Sequence, residues 1–325
     1  MAKITTLLLS LILVLNCSNN NKQNNVTFNI SIGGNDKDDG NSVQQTSDGG
    51  FIVTGFFGSI DNSRFLLKTD SFGKEEWFKT FKKEEYDVGR SVQQTSDGGY
   101  VVIGGDWLIK TNSIGNEEWS KTIGEGFKGL ESISETQDAG FILTGVGELK
   151  NNDERYKILL IKTDVLGNEE WEKAFSGSGG FSLPQGSSAQ QTSDGGYIIF
   201  GFTDQTSVEG TKVWLIKTNR EGIEEWNRTF KYGGSAYGRT GQQTSDGGFI
   251  VGGNIVGDGE QFDERSSYLL KTNSLGAEEW SREFKEPSIS FVRQTLDGGY
   301  VFTGFSSSED IWVAKTDSSG NILAK

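Results

Sequence analysis

Short, almost purely apolar runs recur about every fifty residues along the chain, each closed by a glycine. They are Phe51-Ile52-Val53 ahead of Gly55, Tyr100-Val101-Val102-Ile103 ahead of Gly104 and Phe141-Ile142-Leu143 ahead of Gly145. Tyr197-Ile198-Ile199-Phe200 ahead of Gly201, Phe249-Ile250-Val251 ahead of Gly253 and Tyr300-Val301-Phe302 ahead of Gly304 complete the set. A strand with one wet face alternates apolar and polar residues, so a continuous run predicts a strand covered on both faces. Before each run stands a turn: Asp48-Gly49-Gly50, Asp97-Gly98-Gly99, Asp138-Ala139-Gly140, Asp194-Gly195-Gly196, Asp246-Gly247-Gly248 and Asp297-Gly298-Gly299.

The unit that begins at Ser91 reads as four strands. Ser91–Thr95 is the first, and a tight hairpin through Asp97-Gly98 leads into the apolar second strand. Trp107–Thr111 is the third. A turn through Gly115 leads to the fourth, Glu117–Ile123, which carries Trp119. Trp77, Trp171, Trp226 and Trp280 hold the matching place in other copies. Glycine inside a strand marks close approach of another group. The five tryptophans are therefore expected to lie between neighbouring sheets as structural residues, each covering the glycine that ends a second strand.

Six such units predict an all-β fold, a six-bladed β-propeller of four-stranded antiparallel blades. A parallel β-helix is the alternative, but its coils are shorter and lack paired hairpins. The last unit stops at Lys325 without a fourth strand, while Val26–Ser31 has nothing before it to pair with. Phe28 stands to Val43 as Trp77 stands to Val92, so the N-terminal strand is expected to complete the last blade. Closing the ring in this way removes two exposed sheet edges.

Composition narrows the chemistry. The protein has 325 residues, 45 of them glycine and two proline, with formal net charge −14 and no histidine. A protein this acidic, without a Lys/Arg cluster, is a poor nucleic-acid ligand. Without histidine there is no Ser-His-Asp or Cys-His catalysis and no His-based metal site. No cofactor or metal is implied. Asn35–Gly40 contains an oxygen-rich run, but Lys37 occupies a ligand slot, and the segment reads as a solvated turn rather than a calcium loop.

Residues 1–16 read as a signal peptide: Lys3, then an apolar run from Ile4 to Leu15 that is too short for a permanent span. The run meets Cys17, the only cysteine, and an Asn-rich tether over 17–25. Leu15-Asn16-Cys17 resembles a bacterial lipobox, with Asn16 where a small residue is usual. That resemblance implies lipidation of Cys17 and export to the cell envelope, at the outer membrane or cell surface. The membrane would be reached only through this anchor, and residues 26–325 would form one propeller domain, a monomer.

The stretch Lys162-Thr163-Asp164-Val165-Leu166-Gly167-Asn168-Glu169-Glu170-Trp171 resembles the tryptophan-docking motif of pyrroloquinoline-quinone propellers, one residue shorter between Asp and Gly. Over residues 26–325 the repeat resembles the Gln-Gln-Thr-x-Asp-Gly-Gly-Tyr propellers of bacterial secreted lipoproteins. The resemblance implies a fold and names no activity. No quinone ligand set can be matched.

Repetition also sorts the candidate residues. The pairs Glu75-Glu76, Glu117-Glu118, Glu169-Glu170, Glu224-Glu225 and Glu278-Glu279 would look catalytic if met once. Met five times they read as solvated parts of the blade. Strand parity puts the uniform turns on one face and the loops that differ in length on the other, and loops on a rigid scaffold carry binding. The candidate ligand face comprises Asp153, Arg155, Phe181, Asp204, Glu209, Tyr232, Tyr237, Asp263 and Arg265, with a glycan or an extracellular protein or peptide as the partner class. The expected function is a lipid-anchored, non-catalytic binding or scaffold module. The alternative is an endoglucanase-like glycoside hydrolase that uses two loop carboxylates.

Overall fold

The structure is a computed structural model. It describes residues 38–58, 63–83, 87–123, 128–147, 156–177, 184–204, 210–257, 265–286, 288–305 and 311–322. The protein divides into two compact units, one ending at Ser120 and the other beginning at Lys121.

In the first unit, β1 (Asp38–Gln45), β2 (Phe51–Phe57), β3 (Ser63–Thr69) and β4 (Glu75–Phe81) form one antiparallel sheet in sequence order. β5 (Ser91–Gln94), β6 (Tyr100–Gly104), β7 (Trp107–Thr111) and β8 (Glu117–Thr122) form the next. The second unit repeats the plan. Its third sheet holds β9 (Lys128–Glu135), β10 (Phe141–Gly147), β11 (Lys157–Thr163) and β12 (Glu169–Phe175). The fourth holds β13 (Gln185–Gln191), β14 (Tyr197–Asp204), β15 (Thr211–Thr218) and β16 (Glu224–Phe230). The fifth holds β17 (Gly234–Gln243), β18 (Phe249–Gly257), β19 (Arg265–Thr272) and β20 (Glu278–Phe284). The last has three strands among the described residues, β21 (Ser288–Gln294), β22 (Tyr300–Phe305) and β23 (Ile311–Thr316). These are the blades of a six-bladed β-propeller. Val26–Ser31, expected to supply the missing strand, lies outside the described residues.

The second strands are buried along both faces, as their composition requires: Val101, Val102, Ile103, Ile142, Leu143, Ile198, Ile199, Ile250 and Val251 are all fully covered. Neighbouring sheets share these faces. Ile52 and Leu66 of the first blade pack with Val92, Val102 and Ile109 of the second. Ile198, Phe200 and Leu215 of the fourth pack with Val251 and Leu270 of the fifth.

The hairpin after each first strand is longer than a two-residue turn. Thr95 N–H donates to Gly99 O and Gly98 N–H to Thr95 O, and Gly98 carries φ of 83°. One left-handed residue after a tight turn suits this loop. In the third copy that residue is Ala139 at φ 62°, the one non-glycine with positive φ among the described residues.

Two features differ from the sequence expectation. The glycine after each apolar run lies inside the second strand in every blade but the second, where it ends β6, and it is crowded by the backbone that leads into or forms the first strand of its own blade. A Cβ on Gly55 would lie 1.9 Å from Asp39 O, on Gly104 1.8 Å from Val88 O, and on Gly253 1.9 Å from Tyr237 O. The tryptophans instead cover the turn glycine of the following blade. A Cβ on Gly115 would meet the Trp77 ring at 2.6 Å, on Gly222 the Trp171 ring at 2.7 Å, and on Gly276 the Trp226 ring at 2.6 Å. The carbonyl reaches the strand glycine because the first strand bulges there. The indole, on the outer strand, reaches the turn and the aromatic ring that opens the next second strand, Trp77 meeting Tyr100 at 5.6 Å and Trp226 meeting Phe249 at 5.8 Å. The other difference is at Asn35–Gly40: Asp38, Asp39 and Gly40 open strand β1 rather than a solvated turn, and Asp38 Oδ1 accepts from Gly58 N–H at 2.9 Å.

Candidate functional site

The repeated polar residues at the uniform end of the blade have internal uses. The lysine one residue before the end of the third strand is buried in the first five blades, with 3% of its side chain exposed for Lys68, Lys162 and Lys271 and 5% for Lys110 and Lys217, whereas Lys315 of the last is 44% exposed. The buried ammonium sits between two carboxylates, the turn aspartate and the second glutamate of the pair. Lys68 Nζ lies 2.8 Å from both Asp48 Oδ2 and Glu76 Oε2. Lys217 Nζ lies 2.9 Å from both Asp194 Oδ2 and Glu225 Oε2, and donates to Thr218 O at 2.9 Å. The same trio forms at Lys110, Lys162 and Lys271. The glutamate pairs are therefore half engaged: Glu76, Glu118, Glu170, Glu225 and Glu279 clamp a buried cation and are not simply solvated.

The other aspartate oxygen orders the turn. Asp194 Oδ1 accepts from Thr192 Oγ1 at 2.6 Å and from Gly196 N–H at 3.0 Å. Burial pushes the Asp48, Asp97, Asp194 and Asp246 carboxyls up. The lysine, the threonine hydroxyl and the glycine N–H outweigh it and hold each near about 2. The Gln-Gln-Thr sequence also has a role, because its second glutamine joins blades. Gln94 Oε1 accepts from Ser47 N–H, Gln243 Oε1 from Ser193 N–H, and Gln294 Oε1 from Ser245 N–H, each at 2.8 Å.

A cleft of 730 Å³ opens between the first two blades at this uniform end, lined by Asp48, Lys68, Glu76, Trp77, Gln94 and Tyr100 among others. Asp48, Lys68 and Glu76 of the clamp line it together with Asp70, Lys74 and Glu75. Among the described residues no cluster of His, Cys, Asp or Glu has the makings of a metal site, and no helix is long and apolar enough to cross a membrane.

Of the residues expected on the ligand face, Asp153, Arg155, Phe181, Glu209 and Asp263 lie outside the described residues, as does Cys17. Asp204 is the last residue of β14 and Arg265 the exposed first residue of β19. Tyr232 is not a surface ring. It stacks on the fully buried Tyr268 with centroids 4.5 Å apart, and burial pushes its phenol far up. Tyr237 belongs to a strand rather than a loop, pairing with Asn254 across β17 and β18. Its ring meets Phe202 of the preceding blade edge-on at 4.9 Å.

The described strands add a residue that the sequence reading missed. Each first strand with a mapped bulge inserts one extra residue at the same register: Asn41, Glu131, Ser187, Arg239 and Ser290. Arg90 holds the matching position in the second blade. Bulges re-aim side chains, and here the copies differ most within an otherwise repeated strand. The signal in the sequence was a variable residue just ahead of the recurrent Gln-Gln-Thr.

No family model and no curated protein matches the sequence. Solved structures do resemble this protein. The WD40 domain of Neurospora crassa Pan2 is similar with TM-score 0.54 at 12% identity, covering 86% of this protein and 80% of that one. The Dos1 propeller is similar with TM-score 0.53 at 11% identity, covering 88% and 71%. A protein of unknown function from Bacteroides caccae gives TM-score 0.51 at 11% identity, covering 83% and 91%. At such identities the likeness establishes the fold, a β-propeller.

Proposed function

We propose that this protein is a non-catalytic binding or scaffold module that presents the varied ends of its blades, held at a bacterial cell envelope by lipid on Cys17. One observation carries the reading. The second glutamate of each repeated pair, which would otherwise pass for one of two catalytic carboxylates, is consumed in holding a buried lysine, so recognition falls to positions where the copies differ. A propeller scaffold fits such a role, because rigid sheets hold variable connections in fixed places. The partner is a glycan or an extracellular protein or peptide.

The test is binding of the domain, residues 26–325, to glycan and peptide arrays, alongside assay of the same glycans for new reducing ends. Selective binding without cleavage is expected. Release of reducing ends that a single loop Asp or Glu substitution abolishes would overturn the non-catalytic reading. The anchor has its own test: Cys17→Ser should move the protein from the membrane fraction to the soluble one, and unchanged membrane recovery would refute lipidation at this residue.

A further inference from the structure

Arg239 differs from the buried lysines of the clamp. It is the bulge residue of β17, exposed, and set between two aromatic rings. Its guanidinium carbon lies 5.4 Å from the Tyr237 ring centroid and 5.8 Å from that of Phe202. Its Nε donates to Asn254 Oδ1 at 3.0 Å. Gly238, just before it, brings the strand against the preceding blade, since a Cβ there would lie 2.4 Å from Gly201 O. Backbone, rings and amide together fix the guanidinium in one orientation. Among the described residues no carboxylate reaches it, although the sequence includes 45 Asp and Glu residues. The lysines of the clamp each have two carboxylates, and Asn41, at the same register in the first blade, donates its amide to Gly89 O at 3.0 Å.

With Nε occupied, the two terminal nitrogens of Arg239 remain as a planar fork of donors. That geometry matches a carboxylate taken end-on through two parallel hydrogen bonds. The orientation is set before any ligand arrives, so little freedom is lost on binding. A polyuronate glycan, charged at every residue, would be repelled by a protein of net charge −14, whereas a peptide can deliver one carboxylate among neutral neighbours. Phe202 and Tyr237 are also taken up with each other and with the guanidinium, which leaves them poorly placed to stack on a sugar.

We propose that Arg239, clamped by Tyr237, Phe202 and Asn254, is the anchor of a peptide-binding site that receives the carboxylate of an acidic side chain or of a peptide's C-terminus. This rests on the reading of the protein as a binding module and specifies its ligand chemistry.

The experiment is selection from a random dodecapeptide display library on the full-length protein. Synthetic versions of the selected peptides are then measured by fluorescence anisotropy. Enrichment of Asp, Glu or a free C-terminus is expected. Arg239→Gln should weaken binding by about tenfold to a hundredfold, and Arg239→Lys by nearly as much because the fork is lost. Replacing the peptide carboxylate by its amide should produce the same loss and should add little in Arg239→Gln. Thermal melts of both variants within a few degrees of wild type establish that they fold, and the carboxylate-to-amide exchange tests the site without altering the protein. Peptides without acidic enrichment, or affinities unchanged within twofold in Arg239→Gln, overturn the proposal while leaving the binding-module reading intact. Binding of tri-galacturonate, run as a parallel arm, in place of any peptide overturns the peptide assignment. Failure of every array and library overturns both readings.

Discussion

The buried lysine of the fourth blade offers a quantitative test of what the repeat is for. Lys217 has 5% of its side chain exposed, while its partners Asp194 and Glu225 are 58% and 47% exposed. Removing the two carboxylate charges therefore leaves a buried ammonium with only neutral acceptors, Thr218 O and the amide oxygens that replace the carboxylates. Removing the lysine instead leaves two carboxylates that are already half solvated. Breaking a buried pair from the side that leaves a buried charge costs about 3–5 kcal/mol, whereas an apolar replacement of similar shape is often close to neutral. The double variant Asp194→Asn/Glu225→Gln keeps the Asp194 Oδ1 position as an acceptor for Thr192 and Gly196. It should lose about 3–5 kcal/mol. Lys217→Met, nearly isosteric, should lose no more than about 2 kcal/mol. Urea unfolding followed by circular dichroism gives both numbers. Lys217→Met more damaging than the carboxylate double would refute the asymmetry and the claim that burial of the cation dominates.

Four further outcomes are expected. Asp48, Asp97, Asp194 and Asp246 titrate near about 2 in the folded protein, below the roughly 3.9 of an unfolded aspartate. Their stabilisation is complete above about pH 4 and is lost as pH falls through about 2. Melting temperatures should hold down to about pH 4 and fall from there to about pH 2, and a midpoint that rises on acidification through pH ~3 would contradict the clamp. Ala139→Gly should stabilise by about 1 kcal/mol in denaturant titrations, since it relieves a left-handed residue with a side chain. Gly276→Ala, at φ 74° and against Trp226 at 2.6 Å, should cost clearly more than Gly247→Ala, at φ 83° with its nearest neighbour at 3.9 Å. Equal costs would mean that the indole does not press on the turn. Deleting residues 26–32 should destabilise the entire propeller if that strand completes the last blade, and an unaltered thermal melt would refute ring closure.

How much of this was legible in the sequence follows from what repetition displays and what it hides. The apolar runs and Asp-Gly-Gly turns announced six sheets, because a strand covered on both faces and a hairpin with positive φ each demand particular residues. The glutamate pairs misled, since Glu76 and Lys68 are eight residues apart and meet only because β3 and β4 pair across a tight turn. Tryptophan and glycine were rightly brought together but with the wrong glycine, because reach depends on which strand lies outermost. Tyr237 looked like a loop residue because nothing in its sequence shows that β17 runs to ten residues. Arg239 stayed hidden for a related reason: a bulge is a register property of two strands, invisible in either alone.

The proposed division of labour within the blade is tested most directly by hydrogen exchange on the full-length protein, with and without a peptide selected for binding. Protection gathered on β17 around Arg239 and on the connections after second and fourth strands, with the Asp-Gly-Gly turns unchanged, is the predicted result. Protection centred on those turns and their lysine clamps would contradict it.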